Sequence, residues 1–328
     1  MTLRPDGRFR RRSARRRDVV PGGTRGVASA HPARAPASPA ARPPTEELDS
    51  GRRERFHELL RSRTLRAGVA IVAFWVLCTA FGDLIAPHDP LTTDPRNALA
   101  PPSLDHWFGT DHLGRDTFAR VMDGGRELMI LAPSAALLAT VAGAALGLVT
   151  GFLRGAVDDV LSRMLEAMLA LPVVIFASVL LAALGSSRLA IIVAVGIPMA
   201  PIVARSVRAA VLAERELEYI DAARTRTESA AYIMVREVLP NVRAVVVVEF
   251  VVRLAFAVFA IATLGFIGVG VQPPTSDWGR QIFEHYSLLG GGFLGIWAVL
   301  FPVVAIASLV TGISLIVDGV TEVIDRPG

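Results

Sequence analysis

The chain has 328 residues, of which 52% are hydrophobic and only 20% charged, and its mean hydropathy is +0.48. This composition excludes disorder over most of the chain and is atypical of a water-soluble enzyme. The single cysteine, Cys78, excludes an internal disulfide framework, and the lack of lysine excludes a lysine-dependent phosphate loop or Schiff base.

The first 66 residues hold half of the basic charge. All 34 basic residues are arginines, and 17 of them lie in residues 1–66 beside 7 acids. Residues 1–50 are rich in Arg, Pro, Ala, Gly and Ser without apolar periodicity, which predicts a disordered basic cytoplasmic tail. Residues 51–66 mix charges with leucines and predict a cytoplasmic juxtamembrane helix. Contact with anionic membrane lipid accounts for this charge, so we expect no nucleic-acid partner.

Six long apolar stretches follow the tail. The first, residues 67–86, would span about 30 Å as a helix, the thickness of a bilayer core. The others are residues 128–153, 164–184, 189–204, 244–271 and 293–317. Six such stretches predict an all-α membrane protein with six transmembrane helices. Residues 87–127 would form an external loop, and residues 128–325 a core of five transmembrane helices.

The distribution of arginines predicts the orientation of the chain. With six spans, the side that holds residues 1–66 carries 27 arginines, whereas the opposite side carries 6. The positive-inside rule therefore places both termini in the cytoplasm and the multi-pass chain in the cytoplasmic (inner) membrane.

Two patterns concern the interior of the bundle. Glycines recur at every fourth residue from Gly143 to Gly155, which predicts a face where two helix backbones approach closely. Glu249 and Arg253 lie four residues apart on the fifth span and predict an intrahelical ion pair that snorkels to the cytoplasmic interface. A polar lining of a translocation pathway is the alternative interpretation of this pair.

The polar segment 205–243 is predicted to be a structured cytoplasmic loop. It has 39 residues and no glycine, and Ala, Arg, Glu and Leu, which favour helix, dominate it. We predict a helix, a turn and a second short helix that ends before Pro240. An exposed helix of this kind suits docking into a groove of a soluble partner.

This loop resembles the coupling-loop signature of importer permeases of the ATP-binding-cassette (ABC) class. Asp221, Ala222 and Ala223 match an acid followed by two alanines, and Leu239 with Pro240 matches the closing pair. Thr227 departs from the pattern, which has glycine in the turn between the two helices. The resemblance implies that small alanines let the helix pack closely on an ATPase subunit. The docking residues that it implies are Glu218, Asp221, Ala222, Ala223, Thr227, Leu239 and Pro240.

Two further runs resemble the second, C-type, permease subunit of dipeptide, oligopeptide and nickel importers. One run is HWFGTDHLGRD at 106–116, and the other is LGFIGVGVQPPTSDWG at 264–279; the run LALP at 169–172 also fits. We expect the first two to lie outside and to face a solute-binding protein. Their motif residues are Gly109, Thr110, Asp111, Gly114, Arg115, Asp116, Gln272, Pro273, Pro274, Trp278 and Gly279.

Histidines in the first run raise the question of a metal site. His106 and His112 lie beside Asp105, Asp111 and Asp116. Aspartates are common caps of turns and helices, and no ligand cage is evident from the sequence, so we expect no metal here.

The resemblance implies the type I ABC importer permease fold and a set of partners. These are a homologous B-type permease subunit, two cytoplasmic ABC ATPase subunits and an external solute-binding protein. ATP and Mg²⁺ would bind the ATPases, while this chain binds no cofactor, catalyses no reaction and forms half of the pathway for di- or oligopeptides. A nickel or other small-solute importer is the alternative.

Two classes of protein without an ATPase are less well supported by the sequence. An ion-driven secondary transporter would favour inverted repeats and ionisable groups at the membrane midplane. A membrane enzyme would need a cluster of His, Cys or acidic residues within the spans. Neither pattern is evident in the sequence.

Deletion of residues 2–45 is expected to leave transport unchanged, because the tail is interpreted as a flank at the inner leaflet. Uptake of labelled peptide by cells expressing the full importer would measure this, with membrane levels of the two chains matched by immunoblot. A large loss of uptake at equal expression would show that the tail does more.

Overall fold

The computed structural model describes residues 62–153, 155–291 and 295–324, and their regular elements are helices. The predicted disordered tail and most of the predicted helix at 51–66 lie outside the described residues. The helices are α1 (Arg63–Ala80), α2 (Gly82–Ile85), α3 (Thr117–Phe152), α4 (Ala156–Leu169), α5 (Val173–Leu184), α6 (Arg188–Glu214), α7 (Glu218–Thr225), α8 (Ala230–Tyr232), α9 (Leu239–Ile267), α10 (Trp278–His285) and α11 (Trp297–Ile324). Short 3₁₀ turns lie at Pro95–Asn97 and Tyr286–Gly291, and a π-helical turn at Ile233–Val238 joins α8 to α9.

Six membrane crossings follow from these helices. Within the described residues, α1, α3, α6, α8 with α9, and α11 are each long and apolar enough to span a bilayer. The pair α4 and α5 makes the sixth crossing, but the two helices meet at 89°. The prediction of one straight helix over residues 164–184 is therefore wrong. The helix ends at Leu169 and restarts after Pro172, because proline lacks the N–H that a continuous helix would use.

The crossings give the bundle two ends. We call the end with residues 81–116 and 268–291 the motif end, and the opposite end, with α7, the coupling end. Leu65 at the start of α1 packs on Gly319 near the end of α11, whereas Gly82 beyond α1 packs on Met122 near the start of α3. Both ends of the described chain therefore lie at the coupling end.

The longest helices, α3 and α6, pack closely through glycine. A Cβ added at Gly143, Gly147 or Gly151 would lie 2.5, 2.7 and 2.8 Å from atoms of α6. The predicted stripe of small residues is thus a real helix contact. Gly155 does not belong to it, since a Cβ there would meet open space and its φ of +92° marks the turn into α4.

The pair Glu249–Arg253 forms as predicted, with Arg253 NH2 3.2 Å from Glu249 Oε2. Arg253 is only 7% exposed, and its guanidinium lies 5.2 Å from the centroid of the Phe256 ring. Its charge is therefore offset by Glu249 among the packed helices rather than by solvent. The depth of the pair in the bilayer stays a prediction.

The irregular part of the predicted coupling loop is shorter than the sequence suggests. Helix α6 continues through Arg205 to Glu214, and the second loop helix does not stop before Pro240 but runs through the π-helical turn into α9. Pro240 is tolerated because it lies in the first turn of α9, where a missing N–H costs little. At the motif end, α3 begins at Thr117, inside the predicted external loop, with Asp116 Oδ1 accepting the Ala119 N–H at 2.7 Å.

Substitution Gly147→Val is expected to lower stability by about 1–3 kcal/mol, because its side chain would overlap α6. The melting temperature of the detergent-solubilised chain, followed by size-exclusion fluorescence, would measure this. Ala145→Val adds volume to an exposed position of the same helix and is the control. Equal melting temperatures for the two variants would contradict the close α3–α6 contact.

Candidate functional site

The short helix α7 at the coupling end has a buried face and an exposed face. Ile220 and Ala223 are both 0% exposed and pack in an apolar cluster with residues of α3, α6 and α9. Their spacing of three residues places them on the same side of the helix. Ala223 was expected to contact a partner, but its side chain packs inside its own chain. The exposed face presents Glu218, Asp221 and Ala222.

Hydrogen bonds attach α7 to the helices that precede and follow it. The Tyr219 hydroxyl donates to Glu214 Oε1 at 2.6 Å and accepts from Asn241 Nδ2 at 2.8 Å. Burial, together with the hydrogen bond to Glu214, raises the pKa of Tyr219 to about 12. The phenol therefore remains a hydrogen-bond donor at physiological pH, and α7 is fixed both to the end of α6 and to the start of α9.

Arginines complete the attachment of this segment. Arg215, just after α6, donates to the backbone oxygens of Gly151 at 3.1 Å and Phe152 at 2.9 Å, which lie at the end of α3. A cation at that position also complements the helix dipole. The Arg224–Asp221 pair at 3.1 Å is solvent-exposed, so it adds little to stability and leaves Asp221 available to a partner.

Thr227 ends α7 in a conformation that glycine usually adopts. Its φ is +58°, its N–H donates to Arg224 O at 3.0 Å, and the Glu228 N–H donates to Ala223 O at 3.4 Å. These two bonds form a Schellman motif, in which the residue that follows the helix is left-handed. The departure from glycine noted in the sequence therefore places a β-branched residue in a strained backbone region.

The remaining predicted docking residues, like those of α7, differ in their exposure to solvent. Leu239 is partly buried against the coupling-end cluster, whereas Pro240 is exposed. One surface residue was missed by the sequence analysis: Leu217, immediately before α7, is 47% exposed. An apolar residue inside the charged run 214–218 could have been recognised as a contact residue.

At the motif end, the run 106–116 forms a tight turn. Gly109 and Gly114 have φ values of +71° and +74°, and a Cβ on Gly114 would lie 1.8 Å from Asp94 O. Thr110 is fully buried, donates to Asn97 O and accepts from the Ala100 N–H at 2.8 Å. Glycine is therefore required here by both backbone conformation and space.

The first motif run and the start of α3 meet α10 in a buried ionic network. Asp111 Oδ2 accepts from Arg115 Nε at 2.6 Å and Arg120 NH1 at 2.8 Å. The same two arginines reach Glu284 Oε2 on α10, at 2.9 and 3.2 Å. Burial acts to raise the pKa of both carboxyls, but Arg120 and Arg115 outweigh it and hold the pKa of each below its usual range. The network therefore stays charged and joins α3 to α10.

The second run packs as tightly as the first. Trp278 is 1% exposed, donates to Val121 O at 2.8 Å and meets the Trp75 ring edge-on at 4.9 Å. A Cβ on Gly279 would lie 2.2 Å from Ala262 O. Among the predicted motif residues of this run, Gln272, Pro273 and Pro274 are exposed and can reach a partner.

An open cavity of about 410 Å³ lies beside this network, between α3, the start of α6 and the loop before α10. Glu127 and Arg188 form a bidentate pair on its wall. Burial raises the pKa of Asp277 to about 6, although backbone amides of Arg280 and Gly279 favour its anion. The Ser276 hydroxyl is buried without a hydrogen-bond partner. The cavity therefore offers charged groups to a ligand.

Two groups of described residues at the motif end bring metal-type ligand atoms together. They are His88 with His106 and Asp116, and Asp111 with His112 and His285. His285 donates from Nδ1 to Gln281 O at 2.5 Å, and burial lowers its pKa, so its Nε2 is left as an acceptor for His112 at 2.8 Å.

Comparison with protein families gives two matches. A family described as "Binding-protein-dependent transport system inner membrane component" matches residues 143–327. A second, described as "N-terminal TM domain of oligopeptide transport permease C", matches residues 52–102. The first covers more than half of the chain and includes α7.

Similar proteins carry names from peptide transport. The dipeptide transport system permease of Alkalihalophilus pseudofirmus is 33% identical over 83% of this chain and 89% of its own. The di/tripeptide transport system permease of Pseudomonas aeruginosa is 30% identical over 83% and 91%. The oligopeptide transport system permease of Bacillus subtilis is 30% identical over 79% and 84%.

Substitution Thr227→Gly is expected to stabilise the end of α7 by about 1 kcal/mol, because glycine adopts a positive φ without the Cβ penalty. Amide hydrogen exchange of residues 218–229, measured by mass spectrometry, should slow by about fivefold. Thr225→Gly, inside α7, is the control and should accelerate exchange. Unchanged or faster exchange in Thr227→Gly would contradict the strain at this position.

Proposed function

The chain belongs to the family of binding-protein-dependent transport system inner membrane components, and we propose that it forms half of a peptide pathway in an ABC importer. The names of its relatives support di- or oligopeptides as the cargo. The helix α7 carries the mechanistic part of the proposal: it is exposed on one face and fixed to three helices on the other.

Helix α7 docks on a cytoplasmic ATPase subunit. The exposed Glu218 and Asp221 suit guanidinium or amide groups of the partner, and the exposed Ala222 beside them allows close approach. Closure of two ATPases around ATP would displace α7, and its attachments would carry α6 and α9 with it. The bundle would then alternate between inward- and outward-open states.

The proposal includes the other components of the importer. A homologous B-type permease supplies the second half of the pathway, and the ATPases bind ATP and Mg²⁺ and perform the hydrolysis. A solute-binding protein delivers cargo to the motif end, where Gln272, Pro273 and Pro274 are exposed. The chain itself takes no part in catalysis.

The orientation proposed from arginine counts agrees with the helix directions. The described chain begins and ends at the coupling end, the same end as α7. With α7 in the cytoplasm, both termini are cytoplasmic and the 410 Å³ cavity opens toward the outside.

Reconstitution of the complete importer in proteoliposomes would test the cargo. ATP hydrolysis should rise when the solute-binding protein is loaded with a dipeptide or oligopeptide, and labelled peptide should enter vesicles only with ATP. Stimulation by nickel chelate or another small solute alone would favour the alternative cargo. Uptake without an ATPase subunit would contradict the proposed mechanism.

Substitution Ala222→Asp is expected to weaken co-purification of the ATPase subunits at least tenfold, because it adds a third acid to the exposed face of α7. Pull-down of ATPase subunits with the tagged permease, quantified at equal permease amounts, would measure this. Ala98→Asp places the same change on an exposed alanine at the motif end and is the matched control.

Ala223→Asp should behave differently from Ala222→Asp. Because Ala223 is fully buried, a carboxylate there would destabilise the coupling end itself and lower the melting temperature. Normal melting with selective loss of the ATPase subunits in Ala222→Asp supports α7 as the docking element. Retention of the ATPases by Ala222→Asp at the level of Ala98→Asp would contradict it.

A further inference from the structure

Three segments that are separate in sequence place ligand atoms around one point at the motif end. His88 lies after α2, His106 lies in the turn before α3, and Asp116 is the cap of α3. We propose that His88 Nδ1, His106 Nδ1 and Asp116 Oδ2 bind a divalent first-row transition metal ion, Zn²⁺ above all. Two imidazoles and one carboxylate suit zinc better than magnesium or calcium, which prefer oxygen ligands.

The distances fit a tetrahedral zinc ion. Ligand bonds of about 2.0–2.2 Å place neighbouring ligand atoms about 3.4 Å apart. In the structure Asp116 Oδ2 lies 2.7 Å from His106 Nδ1 and 3.7 Å from His88 Nδ1, and all three atoms lie within 4.8 Å of one another. The two imidazole rings are 4.7 Å apart and inclined by only 34°. Small side-chain rotations would bring all three atoms to bonding distance.

The ligands are held by the surrounding backbone. Asp116 Oδ1 accepts the Ala119 N–H at 2.7 Å, which fixes the carboxylate and leaves Oδ2 free to face the imidazoles. The His106 backbone is fixed by Ser103, whose hydroxyl accepts the His106 N–H at 3.1 Å. Ligands held by such outer hydrogen bonds are typical of zinc sites.

The site also has an entrance. The side chains of Asp116, His106 and His88 are 1%, 17% and 42% exposed, so an ion can reach the group from the side of His88. A cavity of about 350 Å³ borders His88, and Asp83 and Asp89 on its wall add negative charge that attracts a cation.

A hydrogen bond alone explains only part of this arrangement. The contact between His106 and Asp116 is a normal hydrogen bond at 2.7 Å. His88 turns a second Nδ1 toward the same oxygen at 3.7 Å, which is too far for a hydrogen bond. A shared metal ion accounts for the convergence of all three groups.

The neighbouring group of Asp111, His112 and His285 does not suit a cation. Asp111 Oδ2 already accepts from Arg115 Nε at 2.6 Å and Arg120 NH1 at 2.8 Å. Two guanidinium groups at that distance repel a metal ion. His112 is therefore a matched control for the proposed ligands, since it belongs to the same motif run and also contacts a second histidine.

Zinc binding would connect the loop after α2, the turn at 103–109 and the start of α3. These three segments belong to the first and second membrane crossings. The ion would restrict their relative motion at the motif end, and this role does not depend on the cargo or on the docking of α7.

Calorimetric titration of Zn²⁺ into the full-length chain would test the site. The protein would be purified without a histidine tag and stripped with chelator. Wild type and His112→Ala should show the same affinity for one zinc ion at this site. His88→Ala and Asp116→Asn should bind it at least about 100-fold more weakly. Asparagine keeps the cap of α3, and His88→Ala keeps the His106–Asp116 hydrogen bond, so both variants preserve the fold.

A second measurement identifies the ligands directly. The zinc absorption edge of the loaded wild type should show two imidazoles in the coordination shell, and His88→Ala should lose that signature. Zinc should raise the melting temperature of wild type and His112→Ala only. Equal zinc affinity in wild type and His88→Ala, or no binding by wild type, would overturn the proposal. His31 and His57 are unchanged in every variant, so they cannot produce the difference.

Discussion

The close contact between α3 and α6 is the constraint on which the two functional ends depend. Three glycines let the backbones approach to distances at which a single added Cβ would overlap the neighbouring helix. Because lipid tails are as apolar as the helices, the hydrophobic effect does not drive helices together within a bilayer. This contact therefore depends on van der Waals packing over a long interface. A polar interaction links α3 and α6 near each end of this contact. At one end Arg215 donates to the last carbonyls of α3, and at the other Glu127 pairs with Arg188. A displacement at the coupling end therefore acts on a stiff pair of helices.

The attachments of α7 determine what such a displacement can move. Ile220 and Ala223 fill the apolar cluster between α3, α6 and α9, while Tyr219 joins the end of α6 to the start of α9. A force on the exposed face of α7 is thus transferred to three membrane-spanning helices rather than absorbed in a loop. The left-handed Thr227 is the strained position in this segment, and it lies where α7 ends and the chain turns toward α8.

Sequence patterns predicted the crossings and the helical content of residues 205–243 because apolar length and helix composition are local properties. The sequence patterns failed where contacts between distant residues determine the local structure. The bend at Pro172 and the uninterrupted helix through Pro240 involve the same residue type, and only the neighbouring hydrogen bonds distinguish a break from a tolerated first-turn proline. Ala222 and Ala223 are identical in type, yet one is exposed and the other buried, because the helix phase is set by Ile220.

The burial of the motif residues bears on how cargo is chosen. Thr110, Asp111, Asp116 and Trp278 are each at most 2% exposed. Asp111 accepts from two arginines, and the other three hydrogen-bond to backbone groups nearby. Side chains in such positions contact neither a delivered solute nor a binding protein; they hold the motif end in shape. Groups that remain accessible lie nearby on the cavity wall, where Asp123 and Glu127 are partly exposed. The buried ionic network holds the motif end in shape, and the neighbouring cavity has a separate lining. Substitutions on the cavity wall need not disturb the network that supports it, so the lining of the cavity and the stability of the motif end can change independently.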